Sequence, residues 1–341
     1  MKPLALTLGD PAGIGGEIIA RAFLQAPDVT AGCFVVGDLA HLRRAIAVVA
    51  GAGLPVPVLA IEHPSQALDV PPRCIALLQV GQPVPAPLPW GRVQAQAGRM
   101  AADAIAWAAD AALRGEVAGL VTAPIHKEAL AAAGVPYPGH TELLAARAAA
   151  HLGVPVSQLP VRMMLASDEL RTVLVSIHVS LREAIEAVTP ATVLQTLRIT
   201  HTALSQALGR APRIGVAGLN PHAGEGGLFG REEIDAIAPA IAAARAEGID
   251  ANGPHAPDTV FMRARSTPQR PGEFDVVVAM YHDQGLIPVK YLGLDKGVNV
   301  TLGLPLVRTS PDHGTAFDIA GTGRADPSSL IEAIRVARQM S

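Results

Sequence analysis

Three histidines in this sequence each follow a short apolar run of the kind that forms a buried strand. His178 lies in VSIHVS, His222 in GLNPHAGEGG and His282 in VAMYHDQG. Ligands of open parallel sheets bind beyond the carboxyl ends of the strands, so the three imidazoles could converge on one divalent ion. Three neutral imidazoles suit zinc, cobalt or nickel and leave a coordination position open for a substrate oxygen. The pattern predicts a metal site, although each histidine taken alone would also fit an ordinary loop.

A second group of polar residues follows in a segment that is otherwise apolar. Lys290, Asn299 and Arg308 are spread through VKYLGLDKGVNVTLGLPLVRTS. Arginine can bind a phosphate or carboxylate through two hydrogen bonds and lysine adds a point charge, so the trio could form an anion clamp or a solvated face. His140 and Thr141 stand just before a predicted helix. Backbone N–H groups there favour an anion, although Thr141 could simply cap the helix.

The loop that carries His222, GLNPHAGEGGLFG (218–230), is rich in glycine and superficially imitates a dinucleotide-binding fingerprint. Its spacing does not match G-x-G-x-x-G. We therefore interpret the glycines as residues that let the backbone approach a metal ion or a substrate closely.

Composition and charge narrow the class of protein. The 341 residues carry a net charge of −3 with both signs mixed, which argues against a nucleic-acid surface and against a polybasic membrane anchor. A hydrophobic content of 50% is enough for two cores with a cleft between them, and no apolar stretch is long enough to cross a bilayer. We interpret Cys33 and Cys74, the only cysteines, as packing residues. A cytoplasmic enzyme acting on a small molecule is the expectation.

Short apolar runs alternate with longer Ala-rich segments of helical period, which predicts an α/β fold with a largely parallel sheet. Pro190 and Pro239 should kink or split two of the helices, and the proline-rich stretches 81–91 and 266–272 should be surface connections. The predicted strands are 4–9, 33–38, 120–125, 172–180, 213–220 and 274–280, and the predicted helices are 95–115, 181–209 and 231–248.

Several motifs are too distinctive to arise from packing. GDPAGIGGEI (9–18) resembles the opening motif of the isopropylmalate and isocitrate dehydrogenases, and DHGTAFDIAGTGRADP (312–327) resembles their adenosine-binding loop, in a group that binds NAD without a Rossmann domain. A closer resemblance spans nearly the whole chain. TAPIHKEAL, YPGHTELL, LNPHAGEGG, NGPHAPDT, YHDQG and GVNVTLGLPLVRTSPDHGTAFDIAG, in this order, are similar to the PdxA-type 4-hydroxythreonine-4-phosphate dehydrogenase family of pyridoxal phosphate biosynthesis.

This resemblance implies an isopropylmalate-dehydrogenase-like fold of two α/β/α domains with a cleft between them, and a homodimer with its active site at the subunit interface. We expect one domain to comprise 1–125 with 300–341 and the other 126–299. By motif, the metal ligands are His178, His222 and His282, drawn from both subunits, the substrate-binding residues are His140, Thr141, Lys290, Asn299 and Arg308, and the NAD-binding residues are His313, Gly314, Thr315 and Asp318.

The reaction that the resemblance implies is an oxidation of 4-phosphooxy-L-threonine at C3, followed by decarboxylation of the 3-oxo acid to 3-amino-2-oxopropyl phosphate. NAD, or NADP as an alternative, and one divalent ion (zinc, magnesium or cobalt) would be the cofactors. Asp258, Asp283 and Lys290 are the candidates for catalytic roles, although either carboxylate could be purely structural. Three alternatives remain: a relative that oxidises another hydroxy acid, such as a 4-phosphoerythronate-like compound, or a diol; a three-histidine metal lyase or hydrolase; and an acyl- or phosphotransferase.

Overall fold

A computed structural model of the chain describes residues 2–84, 86–293 and 297–341. Parts of two segments discussed above therefore lie outside the described residues: Pro85 in the proline-rich stretch, and 294–296 between Lys290 and Asn299. The chain divides into two compact units. One runs up to Pro160 and includes Leu304–Gln339 and Ser341, and the other comprises Val161–Gly303 and Met340. Each unit combines strands and helices, which confirms the α/β class.

In the first unit, parallel strands are hydrogen-bonded in the order β3-β4-β2-β1-β5-β12, numbered along the whole chain. These strands are β1 (Leu4–Thr7), β2 (Cys33–Gly37), β3 (Val58–Ile61), β4 (Ile75–Gln79), β5 (Gly119–Thr122) and β12 (Arg308–Pro311). The helices are α1 (Gly15–Gln25), α2 (Pro27–Thr30), α3 (Leu39–Ala50), α4 (Ala95–Leu113), α5 (Lys127–Ala132), α6 (His140–Leu152) and α12 (Ser328–Met340), with short 3-10 turns at Pro64–Leu68 and Val156–Gln158.

Helices α5 and α6 belong to this first unit, whereas the predicted boundary after residue 125 would have placed them in the second. Both helices pack against α4. The chain approaches so closely that a Cβ on Gly98 would lie 2.0 Å from the carbonyl oxygen of Ala129. Leu130 and Leu144 share one buried core with Ile105. This burial of apolar surface keeps the segment with the first unit up to Pro160.

In the second unit the strand order is β11-β6-β7-β10-β8-β9, with β6 antiparallel to both its neighbours and the other pairs parallel. The strands are β6 (Arg162–Ala166), β7 (Arg171–Leu174), β8 (Ile214–Ala217), β9 (Ala251–His255), β10 (Val276–Ala279) and β11 (Val298–Leu302). The helices are α7 (Leu181–Glu186), α8 (Pro190–Leu208), α9 (Ala238–Ala246), α10 (Val260–Ala264) and α11 (His282–Tyr291), with a 3-10 segment at Pro221–Gly227 and a π-helical turn at Glu233–Ile237.

The predicted helix 181–209 is split at Pro190, as expected from its missing N–H. Pro190 occupies the first position of α8, and the side chain of Thr189 accepts a hydrogen bond from the backbone N–H of Thr192. Proline is tolerated at that position because its N–H would have no helical partner there. Pro239 likewise lies in the first turn of α9, directly after the π-helical turn.

Cys33 and Cys74 are free thiols, as the sequence predicts. Burial at the start of β2 raises the pKa of the Cys33 thiol to about 11, so this side chain behaves as a packing residue. In the part of the chain that the structure describes, no helix is both long and apolar enough to cross a membrane.

Candidate active site

His178 and His282 lie close together because the strands that precede them are neighbours. β7 and β10 are paired in parallel, and their carboxyl ends are held by bonds from Ser176, whose N–H and hydroxyl both donate to the carbonyl of Met280, at 3.3 and 3.0 Å. The two imidazole rings follow at this edge, with their centroids 5.8 Å apart. Tertiary structure thus brings together two of the three predicted metal ligands.

The imidazole of His282 is oriented by its sequence neighbour. Its Nδ1 lies 2.7 Å from Oδ1 of Asp283, at the first turn of α11. A carboxylate that accepts from one ring nitrogen fixes the tautomer and leaves Nε2 as a lone-pair donor, which is the usual arrangement of a metal-bound histidine. The donor chemistry therefore fits a divalent ion.

His222 stands in an unusual backbone conformation. Residues 222–226 form a left-handed turn, with φ of 53° at His222, 55° at Ala223 and 44° at Glu225. L residues rarely adopt this region, and such strain persists only where surrounding contacts determine it. The glycines explain part of the turn. Gly224 and Gly226 also have positive φ, and a Cβ on Gly224 would lie 2.7 Å from Oε2 of Glu233.

A cavity of about 570 Å³ in the second unit joins His222 to both candidate carboxylates, Asp258 and Asp283. The cavity wall is mostly apolar, and His222, Asp258 and Asp283 follow the ends of β8, β9 and β10 in that order. The lining residues are Leu219, Pro221, His222, Pro257, Asp258, Phe261, Tyr281, Asp283, Gln284, Ile287 and Pro288.

Within residues 2–84, 86–293 and 297–341, no three side chains of His, Cys, Asp or Glu are arranged to hold a metal ion. A single chain therefore provides the His178–His282 pair, with His222 in the neighbouring cavity, and no complete ligand set. That His178, His222 and His282 together bind a metal, with ligands from two subunits, stays a prediction.

In the first unit, the side chain of Arg308, the first residue of β12, extends to Thr122 at the carboxyl end of β5 and lies near His140. Arg308 is 5% exposed, and its Nε and Nη2 donate to the hydroxyl of Thr122, at 3.1 and 2.9 Å. Burial lowers the pKa of the guanidinium to about 10. Burial and the charge of Arg308 together hold the pKa of His140 well below its ordinary value of 6.5. A bound anion would offset the cost of burying this positive charge.

Among the described residues of this unit, the polar atoms buried without a hydrogen-bond partner include Thr7 Oγ1, Asp10 Oδ2, His126 Nδ1 and His140 Nε2. Thr7 is the register partner of Thr122, and the N–H of Asp10 donates to the carbonyl of Pro124. Burial raises the pKa of Asp10, while the nearby His126 opposes this effect. Native proteins satisfy nearly all buried polar groups, so these atoms indicate a place for a ligand or ordered water.

Acidification should lower the free energy of unfolding, and His140 is the group responsible. The unfolded chain takes up a proton on this imidazole as the pH falls through 6.5, whereas the folded chain takes it up only at lower pH. The unfolded state therefore binds more protons in this window, and the free energy of unfolding falls by up to about 1.4 kcal/mol per pH unit. Urea unfolding at about pH 7.5 and pH 5.5 measures the loss, which should be smaller in His140→Asn. Equal losses would exclude this role for His140.

Helix α6 begins at His140, with Gly139 as its N-cap and no capping side chain, so the alternative that Thr141 caps the helix is wrong. His140 and Thr141 occupy the first turn, both half-buried. Lys290 lies half-buried in the last turn of α11, and Asn299 lies half-buried in β11 opposite Leu165.

The predicted NAD-binding loop is fixed by a backbone hydrogen bond from the residue that precedes α1. His313, Gly314 and Asp318 are exposed, whereas Thr315 is buried. The N–H of Ile14 donates to the carbonyl of Thr315 at 3.1 Å. No atom lies within 4 Å of the position that a Cβ on Gly314 would occupy, so the backbone there is open to a ligand.

The end of the proline-rich stretch 81–91 supports the same loop. The guanidinium of Arg44 lies 3.6 Å over the ring of Trp90, and the N–H of Leu88 donates to Nε2 of His41 at 2.9 Å. The Trp90 ring in turn leaves no room for a side chain at Gly321. This stretch, predicted as a plain surface connection, is therefore partly anchored, because it packs on the loop that follows Asp318.

Interpretation of the sequence missed several residues that shape these sites. All but Glu233, which lies in the predicted helix 231–248, belong to motifs that the interpretation singled out. It considered mainly imidazoles and cations, whereas most of the missed residues are carboxylates and amides that bond to the backbone. They are Asp10, Glu17, His126, Glu233 and Gln284. Gln284 is typical, because its side chain accepts from the N–H of Met280 at 2.7 Å and donates to the carbonyl of Gly218 at 2.8 Å.

Known proteins resemble this chain over nearly its whole length. Residues 30–337 match the family model of the pyridoxal phosphate biosynthetic protein PdxA. A 4-hydroxythreonine-4-phosphate dehydrogenase of Beijerinckia indica subsp. indica is 55% identical over 99% of this chain and 95% of its own length. A D-threonate 4-phosphate dehydrogenase of Salmonella typhimurium is 45% identical over 100% and 99%. The crystal structure of 4-hydroxythreonine-4-phosphate dehydrogenase from Klebsiella pneumoniae has a TM-score of 0.86 at 42% identity and covers 100% and 99% of the two chains.

Fold, site and relatives together define an oxidoreductase of the dehydrogenase class. The chain belongs to the PdxA family of pyridoxal phosphate biosynthetic proteins. Membership in this dehydrogenase family implies a nicotinamide cofactor and a metal ion.

Proposed function

We propose that this enzyme oxidises 4-phosphooxy-L-threonine at C3 with NAD, with His178, His222 and His282 as ligands of a divalent ion. The observation that carries the proposal is the pair of imidazoles 5.8 Å apart, one of them oriented by Asp283. Zinc and cobalt suit such a donor set better than magnesium, which prefers oxygen ligands.

The substrates in the names of the relatives from Beijerinckia indica and Salmonella typhimurium both carry a phosphate. In this chain, the buried guanidinium of Arg308 is the group best suited to bind it, with Lys290, Asn299, His140 and Thr141 completing the recognition of phosphate and carboxylate. Because the pKa of His140 is depressed, its imidazole is neutral near pH 7 and can either donate or accept a hydrogen bond.

A divalent ion held by the three histidines would supply charge stabilisation for the oxygen at C3, and NAD bound at 313–318 would supply the hydride acceptor. The side chains of this chain would hold and transfer the protons. Asp283 holds the proton on Nδ1 of His282, and Asp258, exposed in the same cavity, is free to take the hydroxyl proton into solvent. Lys290, named as a further catalytic candidate, would stabilise negative charge while the carboxylate leaves as carbon dioxide.

For the cofactor we propose that His313, Gly314, Thr315 and Asp318 bind NAD, and that NADP is the weaker alternative. Support comes from the exposure of His313, Gly314 and Asp318 and from the open space beside Gly314. An acidic residue in such a loop favours a free ribose hydroxyl over a phosphate, because like charges repel.

We further propose that two copies of this chain share the active site. The segments that follow His178 and His222 expose apolar side chains, among them Val179, Leu181, Leu228 and Phe229. Exposed apolar surface of this kind next to a functional site is typical of a protein interface. The expectation of a cytoplasmic enzyme rests on the sequence and remains a prediction.

Replacing Leu181 with glutamate should therefore dissociate the dimer. Leu181 is 59% exposed in the single chain, so the substitution costs little in the monomer but places a charge in the proposed interface. Light scattering after size exclusion should show monomers, with metal affinity and activity reduced by at least about tenfold. Leu54→Glu is the matched control, since Leu54 is 94% exposed and lies in the other unit. A Leu181→Glu dimer with full activity would reject the interface.

NAD reduction decides the substrate. We expect 4-phosphooxy-L-threonine to be preferred over its unphosphorylated analogue by on the order of 10³-fold in kcat/KM, because the analogue lacks the phosphate that Arg308 is proposed to bind. Assays with metal supplied and withheld accompany it, and D-threonate 4-phosphate is the competing substrate, suggested by the relative from Salmonella typhimurium. A preference for that compound would correct the substrate. No NAD reduction with any of them would reject the proposed oxidation.

A further inference from the structure

Two glutamates, one in each unit, are buried and have no assigned part in the binding of substrate. Glu17 is 0% exposed and Glu233 is 3% exposed. Within the part of the chain that the structure describes, neither forms a hydrogen bond or ion pair with an arginine, lysine or histidine side chain. Each instead accepts hydrogen bonds from the backbone of a glycine-rich loop. A buried carboxylate is costly unless it is well hydrogen-bonded, so its place in each unit requires an explanation.

The carboxylate of Glu17 accepts hydrogen bonds from both sides of one turn in the loop that follows the proposed NAD-binding residues. Its Oε1 accepts from the N–H of Gly321 at 2.6 Å and its Oε2 from the N–H of Gly323 at 2.7 Å. Arg21, one turn further along α1, donates to the carbonyl of Gly323. Together with the bond from Ile14 to Thr315, α1 and the residue before it fix the loop on either side of Asp318.

Glu233 does the same for the loop that carries His222. Its Oε1 accepts from the N–H groups of Leu219 and Asn220, both at 2.7 Å, and its Oε2 accepts from Nδ2 of Asn220 at 2.9 Å. His222 begins its left-handed turn two residues later. Such a turn is unfavourable for L residues, and the three bonds to Glu233 fix the chain where it enters.

We infer that Glu17 and Glu233 are positioning residues with separate tasks: Glu17 sets the loop for the nicotinamide cofactor and Glu233 sets His222 for the metal ion. The inference rests on the proposed function. Hydrogen bonds from backbone N–H groups to a carboxylate are among the stronger hydrogen bonds in proteins. Because Glu17 and Glu233 lie in different units, we expect independent effects on the binding of cofactor and of metal.

The variants E17Q and E233Q test this. Glutamine keeps the shape, but its amide nitrogen cannot accept a hydrogen bond. At position 17 one backbone N–H of the loop therefore loses its partner, and at position 233 either Nδ2 of Asn220 or the two backbone N–H groups of Leu219 and Asn220 lose theirs. E17Q should raise the Kd for NADH, followed by nucleotide fluorescence, about tenfold and leave the Kd for Co²⁺, followed by its absorption bands, within about twofold. E233Q should raise the Kd for Co²⁺ about tenfold and leave the Kd for NADH within about twofold. Each variant is therefore the matched control for the other.

Hydrogen exchange of the same full-length variants gives a readout without ligands. E17Q should speed exchange in 313–323 only, and E233Q in 219–226 only. If a glutamine variant does not fold, the aspartate variant at the same position should show the same selectivity, because the shorter side chain cannot reach both N–H groups. Equal losses for both ligands in both variants, or no loss in either, would overturn the inference while wild-type protein binds NADH and Co²⁺. Wild-type protein that binds neither would reject the proposed function, and the inference with it.

Discussion

Replacing His222 with asparagine is expected to remove metal binding and dehydrogenation together. Asparagine tolerates the left-handed conformation that His222 adopts, with φ of 53°, so the variant isolates the loss of the imidazole from added backbone strain. With two of three nitrogen ligands left, we expect the affinity for Co²⁺ or Zn²⁺ to fall by at least about 100-fold and kcat/KM by on the order of 10³-fold.

The measurement is metal content after dialysis, by atomic emission, alongside NAD reduction by the same sample. His151→Asn is the control, because His151 is exposed in the last turn of α6 and has no proposed role. An asparagine variant at position 222 that is active without metal would contradict the whole metal site. One that keeps its metal but loses activity would instead assign His222 to substrate binding.

Arg308→Ala should raise KM for a phosphorylated substrate by about 10²- to 10³-fold. Truncating one partner of a buried, hydrogen-bonded charge pair costs about 2 to 5 kcal/mol. About 1.4 kcal/mol corresponds to each factor of ten. Because Arg308 is only 5% exposed, we expect the cost of removing its guanidinium to lie at the upper end of this range. We expect kcat to change less, since the clamp binds the ground state and the transition state alike.

The comparison that matters is between substrates. In Arg308→Ala the preference for 4-phosphooxy-L-threonine over its unphosphorylated analogue should collapse. Arg162→Ala is the control, because Arg162 is half-buried and, like Arg308, donates to a threonine hydroxyl, here Thr196 Oγ1 at 2.7 Å. An unchanged KM in Arg308→Ala would remove Arg308 from the phosphate site.

Much of the fold could be predicted locally. The α/β class follows from the alternation of buried runs such as 4–9 and 213–220 with helical segments, because hydrophobic periodicity is a property of neighbouring residues. The split of the long helix at Pro190 follows from the missing N–H. Even the proximity of His178 and His282 was predictable, since adjacent parallel strands end at the same edge.

Local pattern could not define the boundary of the first unit. A segment such as 127–152 carries the same helical signal whichever unit it packs against, and only its contacts with α4 assign it. The same limit applies to the left-handed turn at His222, which glycine content suggests. Tertiary contacts, such as the hydrogen bonds that Leu219 and Asn220 donate to Glu233, fix the chain where it enters the turn.

The sequence by itself determined which residue types are available for chemistry: three histidines at strand ends and a cationic group downstream, in motifs that identify the PdxA family. Tertiary structure alone decided how they are held. Glu17 meets Gly321 across 304 residues, and Arg308 meets Thr122 across 186. The physical reason is that a hydrogen bond depends on two atoms within about 3 Å, and periodicity along the chain carries no information about contacts at such separations.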